Sequence, residues 1–226
     1  MIATDTEPAM RADNLYRFFR TGDEETLALR GVTIELRSGE TVAVVGPSGS
    51  GKSTLLACLA GLDNPSGGAV SVAGTRLSHR PERERAALRA EHIGILLQSG
   101  NLLPHLSLVD NIELARAAAP GDRHVRAPRD LLEEVGLGHR VGAVGRQLSG
   151  GEQARAGLAV ALANDPDVLL ADEPTGELDG ATEERVLALL KQRAHDGTAV
   201  LLVTHSRSAA AIADRVITLV DGRVAA

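Results

Sequence analysis

The stretch 46-GPSGSGKST-54 decides how the rest of the chain is read. It fits G-x-x-x-x-G-K-[ST] and lies between an apolar pentapeptide, 41-TVAVV-45, and an apolar run that starts near Ser53. Strand, glycine-rich turn and helix form the context in which that pattern wraps a phosphate chain. The glycines let successive backbone N–H groups turn inward on phosphate oxygens, and the helix N-terminus adds the positive end of its dipole. Gly46, Pro47, Ser48, Gly49, Ser50, Gly51, Lys52, Ser53 and Thr54 are therefore expected around a nucleotide. Lys52 would reach the β- and γ-phosphates, and the Ser53 hydroxyl would ligate Mg²⁺. An ordinary Gly/Ser turn would not need a lysine there, and Lys52 is one of only two lysines, the other being Lys191, among 24 basic residues.

A loop of this kind needs a carboxylate at the end of a neighbouring strand to hold the metal. The segment 168-VLLADEP-174 supplies two. Asp172 ends the apolar run and is assigned to the metal, through water. Glu173 follows directly; side chains diverge along an extended strand, so it is free for a different task, orienting or deprotonating an attacking water. Taken alone, Asp-Glu-Pro would be only a turn after a strand.

Outward from these motifs the chain alternates. Residues 32-VTIEL-36 and 41-TVAVV-45 read as strands separated by 38-SGE-40, and 69-AVSVAGTRL-77 reads as a strand pair turning at Gly74. The charged run 81-PERERAALRAEH-92 reads as an exposed helix. Residues 107-SLVDNIELARAAA-119 and 129-RDLLEEVGLG-138 are two helical patterns around a Pro/Gly loop at 120–128. The runs 167-DVLLA-171 and 198-TAVLLVT-204 are continuous and apolar, as in parallel strands buried on both faces. Between them 180-GATEERVLALLKQRAHDG-197 is a helix stopping at Gly197. The end, 215-RVITLVDGRVA-225, reads as a hairpin turning at Asp221-Gly222.

Composition narrows the function. The net charge of −6 argues against a polyanion-binding surface, so no nucleic-acid partner is expected. Cys58 is the only cysteine and reads as a small core residue. The start MIATDTEPAM has neither the basic nor the apolar region of a signal peptide, and no apolar run spans a bilayer. The chain is expected to stay in the cytoplasm and to reach a membrane only through a partner.

Between the two phosphate-site motifs sits 147-QLSGGEQAR-155, just before the helical run 152-EQARAGLAVALAN-164. With this signature the chain resembles the ATP-binding subunit of an ABC transporter over nearly its whole length. Gln98 in 95-ILLQSGNLLP-104 is similar to the family's Q-loop glutamine, Asp179 in 175-TGELD-179 to its D-loop, and His205 after LLVT to its switch histidine. The resemblance implies an α/β P-loop NTPase core with a mainly parallel sheet, an N-terminal antiparallel β subdomain and an inserted α-helical subdomain. The whole of 1–226 is then one ATP-binding domain, with core and β subdomain at 13–97 and 155–226 and the helical subdomain at 98–154. The cofactors implied are ATP and Mg²⁺, the latter touched by Ser53, Gln98 and Asp172.

The implied mechanism is an ATPase that dimerises head to tail with a second copy of itself. One subunit gives the phosphate loop, Gln98, Asp172, Glu173 and His205; the other gives Ser149, Gly150 and Gly151 to the γ-phosphate, and Asp179 is counted among the nucleotide-binding residues. Catalysis would rest on Glu173, His205, Gln98 and Lys52. Gln98 and 102-LLPHLSL-108 would face integral membrane permease subunits, holding the protein on the inner face of the membrane. The other histidines (His79, His92, His105, His124, His139 and His195) read as surface or loop residues.

The phrases 172-DEPTGELD-179, 61-GLDNPSGG-68 and 101-NLLPHLSLVDNI-112 resemble the lipoprotein-release, macrolide-export and cell-division ATPases. Glu177, Ala154 and Val160 depart from that pattern. A regulatory cassette that signals through a membrane partner without moving cargo is the second reading. A soluble cassette acting on ribosomes or DNA is the third; the single cassette, the acidic balance and the lack of a heptad run count against it.

All three aromatic residues, Tyr16, Phe18 and Phe19, fall in 14-NLYRFFRTG-22. The family places an aromatic near its N-terminus against adenine. Phe19, three residues before Gly22, fits that spacing, with Tyr16 as the alternative. Tyr16 and Phe18 are expected to pack the core of the small N-terminal sheet.

Overall fold

The computed structural model describes residues 7–21, 24–120, 126–176 and 178–225. Gly22, His124, Glu177 and the first six residues, all used in the sequence reading, lie outside the described residues.

Two sheets organise the chain. The first is antiparallel and contains β1 (Met10–Thr21), β2 (Glu24–Leu36), β4 (Gly67–Val72) and β5 (Thr75–Arg76), in the order β2-β1-β4-β5. The second holds β3 (Thr41–Val45), β6 (Ile93–Leu96), β7 (Val168–Asp172), β8 (Ala199–Val203), β9 (Arg215–Val220) and β10 (Arg223–Val224). Its order is β10-β9-β3-β8-β7-β6, parallel throughout except for β10. The expected strands at 32–36 and 41–45 are both present, but the turn between them carries the chain from one sheet to the other. β2 also starts earlier than its sequence signal.

The parallel strands are apolar on both faces because each face has its own core. Val168 and Leu170 of β7, with Leu201 and Val203 of β8, join the core beneath the first sheet and α1 (Lys52–Leu59). Leu169, Ala171, Val200 and Leu202 point the other way. They pack with α3 (Leu108–Ala117), α4 (Pro128–Glu134), α5 (Gly150–Ala161) and α6 (Gly180–His195). The period of two along a strand thus divides one sheet between two cores. α5 runs unbroken through residue 154.

α2 (Glu82–His92) buries no residue and is laced by ion pairs from Glu82 to Arg85 and Arg89, as its charge density predicts. His92 at its end is half-buried rather than free on the surface, with Nδ1 2.6 Å from Asp167. Cys58 is buried in α1, and burial, aided by the charge of Asp63, pushes its thiol up to about 12. It is an inert core residue, as expected.

The aromatics correct the sequence reading. Tyr16, Phe18 and Phe19 are 40%, 39% and 41% exposed, so Tyr16 and Phe18 do not pack the core. The core face of β1 is filled by Met10, Ala12 and Leu15. Past Tyr16, β1 loses its β4 neighbour and pairs with β2 alone. A left-handed residue, Asn14 (φ 51), and register shifts on either side of Leu15 twist the strand before it reaches the rings. The rings therefore ride on a two-stranded extension beyond the core.

Candidate functional site

Four neighbouring parallel strands deliver their C-terminal ends to one edge of the sheet, where ligands of open α/β sheets collect. The phosphate-loop motif follows β3, Gln98 follows β6, Asp172 and Glu173 end β7, and His205 follows β8. A cleft of about 700 Å³ opens there. It is lined by Gly46, Ser48, Gly49, Gly51, Lys52, Ser53 and Thr54 together with Gln98, Asp172, Glu173 and His205. Sequence-distant candidates are thus brought together.

Glycine is required where the loop meets its supports. A Cβ at Gly46 (φ 155) would lie 2.1 Å from the Leu219 carbonyl oxygen, and one at Gly51 (φ 101) 2.4 Å from that of Ala28. The loop is therefore pressed against β9 and β2. The Ser50 hydroxyl is buried at the loop's turn without a hydrogen-bond partner among the described residues. Lys52 folds back on the loop, its Nζ donating to the carbonyls of Gly46 and Pro47, each at 2.9 Å.

Burial and the neighbouring Glu173 raise the Asp172 carboxyl above its ordinary value, against the pull of Lys52. The separation of the two carboxylates does not come from strand alternation. Glu173 is left-handed (φ 47), a conformation that is strained for a side chain of this size. Its N–H donates to the Val203 carbonyl at 2.9 Å, and its carboxylate turns toward β8. Oε1 lies 2.6 Å from Nδ1 of His205, and Oε2 accepts from the Thr204 hydroxyl at 3.2 Å. The His205 ring is otherwise exposed.

The signature residues lie elsewhere. Ser149 caps α5: its hydroxyl accepts from the Glu152 N–H at 3.3 Å, and its own N–H donates to the Glu152 carboxylate at 2.9 Å. That reciprocal box holds the Glu152 carboxyl below its usual range. Ser149, Gly150 and Gly151 do not line the phosphate-loop cleft. Gly150 instead borders a smaller cleft of about 180 Å³, shared with Gln98, Gln153, Ala154 and Glu173. Val160 packs half-buried against the helical core. Asp179 caps α6, accepting from the Thr182 N–H and hydroxyl, each at 3.0 Å. Phe19 is also outside the cleft lining, although it pairs across the ladder with Thr26, which borders the cleft. One face of its ring carries the Arg17 guanidinium, 4.4 Å from the centroid.

Three residues of this edge had no motif to announce them. Thr204 is buried between Glu173 and His205. Asn101 clamps the turn that carries Gln98, its side-chain amide exchanging two hydrogen bonds with the backbone of Leu97 at 2.8 and 2.7 Å. Glu183, in the first turns of α6, accepts three hydroxyls from two segments, Thr175 from one and Ser206 and Ser208 from the other. Thr204 and Glu183 bond to residues far off in sequence, and Asn101 bonds four residues back with no pattern to mark it, so only an apolar strand ending in Thr-His hinted at any of them.

For a metal, the candidates are the Ser53 hydroxyl, the Asp172 carboxylate and the Gln98 amide. Among the described residues no group of three or more His, Cys, Asp or Glu could hold an ion. A sparse, all-oxygen set with one carboxylate fits Mg²⁺, which keeps several waters and takes its remaining ligands from phosphate.

Sheet order, glycine loop and strand-end carboxylates define a P-loop nucleotide-binding protein. The ABC transporter family model matches residues 29–176. The macrolide export ATP-binding/permease protein MacB 1 of Yersinia pestis bv. Antiqua (strain Antiqua) is 43% identical over 219 residues, covering 96% of this chain and 34% of that protein. The uncharacterized ABC transporter ATP-binding protein YbbA of Escherichia coli (strain K12) is 44% identical over 223 residues, covering 96% of this chain and 97% of YbbA. The dimeric post-hydrolysis structure of the ATP-binding cassette MJ0796, bound to ADP and Pi, superposes with a TM-score of 0.88 at 35% identity, covering 96% and 97% of the two chains. The chain belongs to the ABC transporter family, as its ATP-binding cassette. It spans about a third of the length of the macrolide export relatives. Among the described residues no helix is long and apolar enough to cross a membrane.

Proposed function

We propose that this cassette hydrolyses ATP between two copies of itself and so drives a membrane permease that lies outside these 226 residues. One observation carries the reading: Glu173 and His205 meet at 2.6 Å on the same strand edge as Lys52 and Asp172. The loop amides would receive the phosphates, and Lys52 would leave the carbonyls of Gly46 and Pro47 to meet their charge. Ser53, Asp172 and Gln98 would hold Mg²⁺, which when bound would supply charge neutralisation to the phosphates. Glu173 would orient a water in line with the γ-phosphorus and take its proton as the bond to the β-phosphate oxygen breaks. With Nδ1 donating to Glu173, His205 would keep the carboxylate aimed and present Nε2 to the γ-phosphate.

The separation of Ser149–Gly151 from the phosphate-loop cleft supports a composite site, in which a partner copy brings its signature residues to this loop. The dimeric MJ0796 cassette supports the same arrangement. We assign 13–97 and 155–226 to the core and β subdomain, and 98–154 to a helical subdomain that faces the permease. Exposed Leu97 and Leu103 beside Gln98 suit that contact, which would place the cassette on the inner face of the membrane. Export is the favoured task, after the macrolide export relatives; the cargo would be chosen by the membrane part.

The test is Glu173→Gln. Turnover should fall at least about 100-fold, the lower end for loss of a general base, while ATP binding persists and a dimer accumulates on a sizing column. Hydrolysis at the parent rate would remove Glu173 from this role.

A further inference from the structure

The polar groups around the strand ends continue past Glu173 and His205. Oε1 of Glu183 accepts from the hydroxyls of Ser208 at 2.6 Å, Ser206 at 3.1 Å and Thr175 at 3.3 Å. Those hydroxyls hold its carboxyl below the usual carboxylate range, so it is ionised wherever the protein is folded near neutral pH. Ser206 is the residue after His205 and caps α7 (Arg207–Ala211), accepting from the Ala209 N–H at 3.3 Å. The Ser206 N–H donates to the Thr204 hydroxyl at 3.0 Å, and that hydroxyl donates to Glu173. His205 is therefore flanked by two residues pinned in place, one by Glu173 and the other by Glu183.

An exposed histidine on a loop has several rotamers and a backbone that can drift. The 2.6 Å contact with Glu173 needs one of them. Thr204 fixes the near side of the turn from the strand it ends. On the far side, Glu183 reaches Ser206 and Ser208 from α6, while burial of Ala209 in the core anchors the short α7 that starts at Ser206. The same carboxylate ties Thr175, two residues past Glu173. It thus spans the two turns whose relative position sets the distance between Glu173 and His205.

We propose that Glu183 is a positioning residue for hydrolysis: it holds the Ser206 turn, and through it keeps His205 on Glu173. The proposal rests on the reading of Glu173 and His205 as the catalytic pair. It makes no demand on nucleotide binding, since Glu183 does not line the phosphate-loop cleft.

The experiment is a double-mutant cycle on the full chain, reading ATP turnover at saturation, KM for ATP and the thermal unfolding midpoint. Glu183→Ala should lower kcat about tenfold, the scale of misplacing a catalytic group by a fraction of an ångström, with KM within about twofold. In a His205→Ala background the same change should cost nothing further, because the group it positions is gone. Glu183→Gln should recover much of the turnover, since its amide oxygen still has two lone pairs for the hydroxyls of the Ser206 turn. Ser206→Ala with Ser208→Ala should reproduce the loss without touching α6, and covers the case in which Glu183→Ala fails to fold. Parent turnover in Glu183→Ala, or a tenfold loss that persists on top of His205→Ala, would overturn the proposal while leaving the catalytic pair intact. Parent turnover in His205→Ala would overturn the pair itself, and the proposal with it.

Discussion

Gly222 sits where the C-terminal hairpin touches the nucleotide site, and replacing it separates backbone strain from lost anchoring. Asp221 (φ 46) and Gly222 (φ 74) are both left-handed, as a two-residue type I′ turn requires. The Gly222 N–H donates to the Ser50 carbonyl at 3.0 Å, and its own carbonyl accepts from the Arg30 N–H at 2.8 Å. A Cβ there would lie 2.6 Å from the Ala28 carbonyl oxygen. Gly136, after α4, has nearly the same φ of 73 and nothing within 4 Å of its added Cβ. Both alanine variants incur the left-handed penalty, about 1–2 kcal/mol. Only Gly222→Ala must also push the hairpin tip away from β2, and loss of its two hydrogen bonds adds about 2 kcal/mol at about 1 kcal/mol each. Urea unfolding followed by circular dichroism should give losses of about 1–2 kcal/mol for Gly136→Ala and about 3–4 kcal/mol for Gly222→Ala, with unchanged slope. Because Ser50 belongs to the phosphate loop, Gly222→Ala should also weaken ADP binding, whereas Gly136→Ala should not. Equal losses, or full ADP affinity in Gly222→Ala, would refute the idea that the hairpin braces the loop.

Phe19→Ala should raise KM for ATP about tenfold with little change in turnover at saturation, the scale of one base–aromatic stack; an unchanged KM would take Phe19 out of the site. The raised Asp172 carboxyl makes a second, pH-dependent expectation. A folded-state value above the unfolded one means that the ionised group subtracts stability above that range, and that the penalty fades as pH falls through it. Metal binding needs the ionised form. The rise in melting temperature from ADP plus Mg²⁺, relative to ADP alone, should therefore be full at neutral pH and shrink as pH approaches the upper edge of the carboxylate range. Asp172→Asn should abolish that increment and stabilise the ligand-free protein at neutral pH; an increment independent of pH, or no gain in Asp172→Asn, would contradict the assignment.

Legibility in the sequence followed burial. β7 and β8 were plain because both faces are buried, so four consecutive positions in β7 and five in β8 had to be apolar. The hairpin at Asp221-Gly222 was plain because its turn type needs those residues. β1 was not, because Arg11, Arg17 and Arg20 interrupt its apolar residues and the irregularity at Asn14 breaks its alternation. β6 is only four residues long, one of them Gly94, and α7 only five, too short for any period to register. The rings of Tyr16 and Phe18 were misplaced for the same reason: hydrophobicity says that a side chain gains from burial, not that the sheet has a neighbour to bury it against.

The site divides in the same way. The groups assigned to phosphate and metal sit in contiguous motifs, because a turn that wraps phosphate must be built from neighbouring amides. The groups that aim them do not. Glu173 reaches Thr204 across 31 residues, and Glu183 reaches Ser206 across 23. Such contacts exist only because parallel strands bring their ends together. They also explain why Glu173 can stay in a strained left-handed turn: its N–H, both carboxylate oxygens and the turn after it are each held by another segment. A strained residue persists only where its surroundings over-determine it. If that restraint is what keeps the base aimed, loosening any one segment should be felt first in turnover and only later in stability, the order in which the Glu183 variants are expected to fail.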